Sequence, residues 1–388
     1  MKSFFRKSSV IFTAAMLAVA IPSCKDNDNG NDDNDELLMA VLESYVDKTI
    51  IPTYKTLAEA ALKMREANAA LKSSPTDANM AAASDAWMVA RVAWEINEAF
   101  LFGPVGEDAL DIDGHIDSWP LEIEQIRNTI DEENGEITGA EAWNLDSEVI
   151  GFHVTEYLLY KDGQTRPVGD LTTAELNYLT AATDALVWDC VLAYVAWVGE
   201  ENVSAEMKTV FRENPDVVSH LDNNPNFKNF ATKMKLGEGT KYSSAVAAVS
   251  EIWTGAADIA NEVGETKIAS PYETGKTEEV ESWYSWHSLD DYKNNIESIK
   301  NAYLGGVNND TRTAVSLSTY VATKNAKLDG DIKAKIEETI DKIGAIGTGD
   351  KSFYEVVRDQ INKAQVDAAV NACVELAELF TSLEDIIE

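Results

Sequence analysis

Hydrophobic residues recur at every third or fourth position through most of this chain, between short polar breaks. This spacing is typical of amphipathic helices, and no run longer than a few residues alternates with the period of two that marks a strand. Helix-capping residues, glycine and proline separate the segments. The predicted helices cover 36–72 with a break or kink at Pro52, 76–102, 118–133, 146–160, 172–199, 203–234, 243–264, 288–304, 312–343 and 353–387. The pattern therefore predicts an all-α protein.

The length of the helical part indicates more than one hydrophobic core. About 350 residues follow the N-terminal segments described below, which exceeds one typical core. We expect two helical-bundle domains packed side by side with a cleft between them. The N-terminal bundle is predicted to cover 36–200 and the C-terminal bundle 201–388, with short linkers between the elements.

The first residues have the pattern of an export signal. Three basic residues precede an apolar stretch at 10–21, which is too short to span a bilayer as a stable helix. Residues 21–24 resemble a bacterial lipobox that ends at Cys24. We therefore predict a lipoprotein signal peptide over 1–24 and lipidation of Cys24. The alternative is an ordinary signal peptide in which Cys24 is incidental.

A polar segment follows, and the mature chain is strongly acidic. Residues 25–35 contain no apolar side chain, so they are predicted to be a disordered acidic tether. Removing 1–24 deletes three positive charges and changes the formal net charge from -35 to -38. This charge excludes nucleic acid and anionic lipid headgroups as partners. We expect a protein of the cell envelope, lipid-anchored to the outer membrane on its periplasmic or surface face.

Two cysteines remain after Cys24, and both lie in apolar helical stretches. In an oxidising envelope Cys190 and Cys373 could pair. Burial in separate helices favours the other interpretation, two independent buried thiols.

The clearest candidate chemistry lies in residues 151–156, which have the pattern GxHxxE. His153 and Glu156 are three residues apart, so they share one face of a helix. That face is otherwise apolar, and a carboxylate buried there needs a partner, a proton or a metal. We therefore predict a metal site that includes His153 and Glu156, with a structural histidine satisfied by Glu156 as the alternative.

A second group of charges occurs where the pattern predicts core. The segment 86–102 is apolar on every side except for Arg91, Glu95 and Glu98. On a continuous helix, Arg91, Trp94 and Glu98 fall within one narrow wedge. Arg91 and Glu95 can pair at i, i+4, which leaves Glu98 in need of another partner. Two interpretations stay open: a buried structural ion network, and a polar pocket in which Glu98 joins the predicted metal ligands.

Several established chemistries are not supported by the spacing. The zinc-peptidase helix motif, paired Glu-x-x-His helices, a serine nucleophile elbow and a phosphate-binding loop are all absent from the sequence. Only four histidines occur, so a site built from several histidines is not expected. A hard metal held by carboxylates and one imidazole remains, and iron fits that set of ligands.

Together these segments resemble the imelysin-like family. The resemblance rests on 151–156, 87–104, 116–120, 262–268 and 281–290, and it covers most of residues 36–388. It implies an exported, all-helical protein of two bundle-like domains that takes part in bacterial iron acquisition. The family is named for a metallopeptidase activity. By this resemblance the metal ligands are His153, Glu156 and Glu98. The ligand-binding residues are Arg91, Trp94, Glu98, Ser282, Ser285 and Asp290. The last three are expected to close over the pocket.

The function expected from the sequence is therefore binding of iron, or of an iron-bearing ligand, in a polar pocket at the domain interface. A transport partner in the outer membrane is a further expectation. Two alternatives stay open: a metallopeptidase that uses His153 and Glu156 at a metal centre, and a scaffold that presents its acidic surface to a partner.

Overall fold

The computed structural model describes residues 29–106, 108–132, 135–236 and 242–387. The predicted signal peptide, the predicted lipidation site Cys24 and residues 25–28 of the predicted tether lie outside this part of the chain. Helices dominate what is described, with one two-stranded hairpin, so the all-α prediction is confirmed.

Among the residues that the structure describes, the first half contains eight α-helices and the hairpin. In the second half eleven further α-helices follow. Their bounds are α1 Asn29–Tyr45, α2 Ile51–Ser73, α3 Asp77–Glu95, α4 Ile112–Ile116, α5 Ile123–Glu132, α6 Gly139–Trp143, α7 Gly151–Leu159, β1 Tyr160–Lys161, β2 Gln164–Thr165, α8 Thr173–Val198, α9 Ala205–Phe211, α10 Pro215–Asn223, α11 Phe230–Lys235, α12 Ala245–Asn261, α13 Ser270–Thr274, α14 Ser288–Leu304, α15 Leu317–Lys324, α16 Ala326–Ile346, α17 Phe353–Asp359, α18 Lys363–Thr381 and α19 Glu384–Ile387.

Helix α1 begins inside the segment predicted to be a tether. Residues 29–35 are helical, so the prediction of disorder is wrong for them. Acidic residues suit the N-terminal end of a helix, where the backbone dipole is positive, and the apolar stripe of α1 begins immediately afterwards at Leu37. The predicted break near Pro52 is present as a π-helical turn, Val46–Ile50, between α1 and α2.

Helix α3 ends at Glu95, seven residues earlier than predicted. The side-chain amide of Asn97 donates to the carbonyl of Ala93 at 2.6 Å, which satisfies a carbonyl that a longer helix would have used. A short 3₁₀ helix, Glu98–Phe100, follows. Glu98 therefore does not share a helical face with Arg91, and the wedge expected from a continuous helix is not formed.

Helix α8 is the central element of the first half. It begins with the predicted capping box, in which the side chains of Thr172 and Glu175 each bond the other residue's backbone N–H. By length and composition it could cross a bilayer, but 94% of its apolar window is buried inside the protein. Helices α2, α6 and α7 pack on it, which marks it as a core helix.

In the second half, α12, α14, α16 and α18 pack against one another. Elements of the first half contact this group: α1 packs on α12, α3 on α14, and the 3₁₀ helix on both α12 and α14. One hydrophobic core runs through both halves. The division into two domains at residue 200 stays a prediction. The described cysteines, Cys190 and Cys373, are separate buried thiols, as the sequence favours.

Candidate metal centre

The geometry of the candidate metal centre starts from the backbone at Gly151. Its φ is +84°, and an added Cβ would lie 2.4 Å from the carbonyl oxygen of Ile116. Only glycine can adopt this conformation and allow so close an approach. The first turn of α7 therefore packs directly on the end of α4, and this contact places Asp117 beside His153.

His153 is held on both sides of its ring. Its Nδ1 lies 3.0 Å from Glu156 Oε2, and its Nε2 lies 3.2 Å from Asp117 Oδ1 and 3.4 Å from Glu281 Oε1. Among the described residues, Nε2 makes no hydrogen bond of acceptable geometry. Because the carboxylate of Glu156 binds Nδ1, Nε2 is the ring nitrogen that faces the other two carboxylates.

Residues 281–287, here called the cover turn, lie over α7. The backbone N–H and the hydroxyl of Ser285 donate to Glu156 Oε1 at 2.8 and 2.7 Å. Ser282 and Trp286 both have positive φ, a conformation that is uncommon for non-glycine residues. The cover turn thus fixes Glu156, and Glu156 in turn fixes the orientation of His153.

Arg91 lies at the centre of the carboxylates. Its guanidinium bonds Asp117, contacts Glu95 Oε1 at 2.5 Å and Glu281 Oε1 at 2.9 Å, and reaches Asp291 Oδ2 at 3.3 Å. The side chain is entirely buried. A planar group with five donors can serve several carboxylates at once, so Arg91 joins α3, α14 and the cover turn into one network.

Further side chains complete this network from its edges. The indole of Trp94 donates to Asp117 Oδ2 at 2.7 Å. Lys267, in the π-helical turn Glu262–Ala269, lies 2.9 Å from Glu281 Oε2. The hydroxyl of Ser282 donates to Asp291 Oδ2 at 2.5 Å, and the amide of Asn295 donates to Glu95. Each carboxylate therefore has a fixed position.

The surroundings of His153 favour its protonated form when no metal is bound. Burial and the nearby Arg91 act to lower the pKa of His153, but Asp117, Glu156 and Glu281 override them and raise it well above its usual value. A proton and a metal ion compete for the same nitrogen.

The carboxylates differ in how well they are compensated. Burial acts to raise the pKa of Glu281, but Lys267, His153 and Arg91 hold it well below its usual range. Burial raises the pKa of Asp291 to about 6, with Arg91 opposing. The carboxylate that contacts Nε2 of His153 and both permanent cations is therefore the one kept ionised most strongly.

Within the described part of the chain, two groups of ligand atoms are close enough to hold a cation. One consists of Asp117, His153 and Glu281, and the other of Glu95, Glu98 and Asp117; in each group all atoms lie within 4.8 Å of one another. One imidazole with two carboxylates fits iron, manganese or zinc. The Nε2 atom of His153 makes no hydrogen bond within the described chain and can bind a metal once it has lost its proton, which supports the fit of the first group.

The structure changes the roles expected from the sequence. His153 and Glu98 both supply atoms to these groups, whereas Glu156 belongs to neither and holds His153 from behind. Ser282 and Ser285 are hydrogen-bond donors within the network. Asp290 is outside it: its carboxylate is exposed and pairs with His287 and Lys293, so its predicted place at the site is wrong.

Four acidic or basic residues were missed: Asp117, Lys267, Glu281 and Asp291. Asp117, Lys267 and Glu281 lie inside segments that carry the family resemblance, but no local spacing links them to His153. A signal for Asp291 does exist, because Asp291, Asn295 and Ser298 follow the i, i+4, i+7 spacing of one buried helical face.

The site is enclosed, which differs from the open polar cleft that the sequence led us to expect. The side chains of His153 and Glu156 have no exposed surface, because the cover turn packs over them. Small exposed fractions remain at Glu98 and Glu281. A surface pocket of about 470 Å³ lies on the outer side of the cover turn, lined in part by Tyr157, Tyr284 and Trp286, and His153 does not line it.

Comparison with known proteins agrees with this architecture. The chain is 26% identical over 264 residues to Iron-regulated protein A of Synechococcus elongatus, a match that covers 68% of this chain but only 64% of that protein. A crystal structure described as an iron-regulated protein A precursor, from Parabacteroides distasonis, is 28% identical, with a TM-score of 0.77 over 91% of this chain and 96% of the other. An imelysin-like protein from Psychrobacter arcticum shares the fold at 12% identity, with a TM-score of 0.60 over 90% of this chain and 94% of its own. Residues 50–383 match the Imelysin (Peptidase M75) family, and the chain therefore belongs to that family.

Proposed function

We propose that this chain is an exported iron-binding protein that holds an iron ion at Asp117, His153 and Glu281. The names of two relatives connect the family to iron regulation. The observation that carries the proposal is the buried Nε2 of His153, which makes no hydrogen bond within the described chain and lies within 3.4 Å of two carboxylates.

The residues around this site have separate tasks. Glu156 accepts the proton on Nδ1 of His153 and keeps Nε2 available, an arrangement that strengthens imidazole as a metal ligand. Asp117 and Glu281 supply the negative charge that a ferrous or ferric ion requires. Arg91 bonds both carboxylates and keeps them apart from solvent, so an incoming ion competes with the guanidinium for their oxygens.

The enclosure of the site favours an ion over a larger iron-bearing ligand. A chelate of many atoms needs an open cavity, and the side chains of Arg91, His153 and Glu156 are all without exposed surface. An ion can enter at the partly exposed edge formed by Glu98 and Glu281. We therefore place iron itself in this site.

We further propose that the protein is anchored by a lipid on Cys24 at the outer membrane, where it delivers iron to or receives iron from a transport partner. The basic and apolar N-terminal residues and the strongly acidic mature chain support this location. Mass spectrometry of the protein from a membrane fraction tests for the lipid on Cys24. The variant Cys24→Ser should be released into the soluble fraction.

Anaerobic titration calorimetry with ferrous iron tests the binding site. His153→Ala should lose the binding event that these three ligands produce. His115→Ala is the matched control, because His115 is also paired with a buried carboxylate but lies in a different cluster. The same isotherm for the wild type and His153→Ala would refute the proposed site.

Metallopeptidase activity is the second candidate, and the family's peptidase designation is the observation in its favour. A peptide must reach the metal, and the cover turn fills the space over Glu156 with two hydrogen bonds from Ser285. Cleavage of an unfolded protein that is lost with a chelator and with Glu156→Gln would favour this function over iron binding alone.

A further inference from the structure

The buried network carries more negative charge than one ion can balance. Six carboxylates take part. With His153 neutral, as a metal ligand must be, the two permanent cations, Arg91 and Lys267, leave a formal excess of four negative charges when all six are ionised. One ferrous ion at His153 leaves an excess of two. Uncompensated charge is costly in a buried environment, so further compensation is needed. The carboxylates are Glu95, Glu98, Asp117, Glu156, Glu281 and Asp291.

Part of the remaining excess lies in the second group of ligand atoms. There Glu95, Glu98 and Asp117 bring three carboxylate oxygens within 4.8 Å of one another. Glu98 is 92% buried, since its exposed fraction is 8%, and within the described chain it makes no hydrogen bond and no ion pair. A largely buried carboxylate that lies close to two others and has no hydrogen-bond donor of its own can offer its oxygens to a cation.

A neighbouring amide strengthens this interpretation. Asn295 donates its side-chain N–H to Glu95 Oε2 at 2.5 Å, which holds that carboxylate in place. The amide oxygen of Asn295 is also buried and has no hydrogen-bond partner among the described residues. The donors in and beside this group are therefore all oxygens, which hard divalent cations prefer.

We propose that Glu95, Glu98 and Asp117 form a second cation site, which takes a hard divalent ion and shares Asp117 with the site at His153. This inference rests on the proposed function only for the first ion. Two divalent ions would cancel the formal excess of four charges. Asp117 is the ligand common to both groups, so filling one site changes the electrostatic environment of the other.

Metal stoichiometry tests the proposal. The full chain, freed of metal with a chelating resin, is loaded anaerobically with ferrous iron and analysed by mass spectrometry of its metal content after gel filtration. We expect two ions per chain in the wild type and one in Glu98→Gln, which keeps the shape of the side chain. Glu262→Gln is the control, because Glu262 lies 3.6 Å from Lys267 but is half exposed, and this variant should keep two ions.

Each other outcome has a definite meaning. One ion in both the wild type and Glu98→Gln would overturn the second site, since protons would then balance the excess, and would leave the first site intact. No ion in the wild type would overturn both sites. No ion in Glu98→Gln would show that Glu98 belongs to a single site and would also overturn the proposal.

A spectroscopic measurement tests the sharing of Asp117. Loaded with Mn²⁺, the wild type should give an electron paramagnetic resonance spectrum broadened by coupling between two nearby ions. Glu98→Gln should give the narrow six-line spectrum of an isolated ion. Two ions with uncoupled spectra would show that the sites do not share a ligand.

Discussion

Two histidines in this protein are paired with buried carboxylates, and their surroundings differ. His115 contacts Asp189 through Nδ1 at 2.7 Å and the carbonyl of Trp143 through Nε2 at 3.1 Å, so both ring nitrogens are bonded. The other oxygen of Asp189 accepts from the Trp143 indole. One histidine faces one carboxylate, and every polar group of this cluster has a partner.

The cluster around His153 has neither property. Three carboxylates surround one imidazole, Nε2 lacks a hydrogen bond within the described chain, and the whole network is acidic. A buried histidine with a carboxylate partner is therefore not evidence of function by itself. The features that distinguish the His153 cluster, and that support the proposed binding site, are surplus charge and an unsatisfied nitrogen.

The largest effect expected concerns Arg91, whose removal should break the His153 cluster as a structural unit. Arg91→Met leaves Glu95, Asp117 and Glu281 buried without their cation, so the free energy of unfolding should fall by about 3–5 kcal/mol. Urea denaturation measures this. The control is Arg65→Met, since Arg65 is partly exposed and pairs with the partly exposed Asp184 and Glu213, and its loss should be smaller, about 1 kcal/mol. Equal losses would mean that the central network contributes no more to stability than these partly exposed ion pairs.

The second prediction separates the two histidines by the effect of iron on stability. Ferrous iron at one hundred times its dissociation constant should stabilise the wild type by about 2.7 kcal/mol per independent site. His115→Ala should keep this increment, because its cluster offers no free ligand, whereas His153→Ala should lose the part due to its own site. Thermal unfolding with and without iron measures the difference. If His115→Ala instead lost the stabilisation by iron, iron would bind at His115 and not at His153.

The third prediction concerns the carboxylates that hold the two rings. Glu156→Gln keeps the size of the side chain but weakens its hold on Nδ1 of His153, so iron affinity should fall about 10- to 100-fold. Asp189→Asn makes the equivalent change beside His115 and should leave iron affinity unchanged. Titration calorimetry of both variants provides the comparison, and unaltered affinity in Glu156→Gln would show that Glu156 does not orient the ligand.

The smallest effect expected concerns Asp290, which is exposed and lies outside the network around His153. The hydrogen bond from His287 and contacts with Lys293 lower the pKa of Asp290 to about 2, from 3.8 for a free side chain. Because the folded-state pKa is lower, this carboxylate adds stability above about pH 4 and loses it as the pH falls towards 2. The side chain is 54% exposed, so screening limits the effect to about 0.5 kcal/mol.

Denaturation of the wild type and Asp290→Asn between pH 5 and pH 2 measures this contribution. The difference in the free energy of unfolding between the wild type and Asp290→Asn should become smaller towards pH 2. A difference that grows on acidification would have the wrong sign.

Local features of the fold were predictable from the sequence. The helical period, the capping box at Thr172 and the pair His153 and Glu156 all depend on residues three or four positions apart. The early end of α3 was not predictable from the sequence, because the side chain of Asn97 competes for the backbone carbonyl of Ala93. Hydrophobic spacing does not reveal this competition.

Much of the candidate metal centre depends on contacts that local patterns cannot reveal. Arg91 meets residues 26, 190 and 200 positions away, and Ser285 reaches Glu156 across 129 positions. The error at Asp290 has a simple geometric cause. Successive residues on a helix point about 100° apart, so the side chain of Asp290 faces solvent whereas that of Asp291 faces the buried network.

The hydrogen bonds from Ser285 to Glu156 have a consequence for how the protein matures. They form only after distant parts of the chain have met, and closing such long loops carries a large entropic cost. A nascent or truncated chain would present Glu156 and His153 without their distant partners and would bind iron weakly. Under the proposed function, tight iron binding would thus be restricted to molecules that have completed folding, so that iron uptake would distinguish folded from unfolded copies.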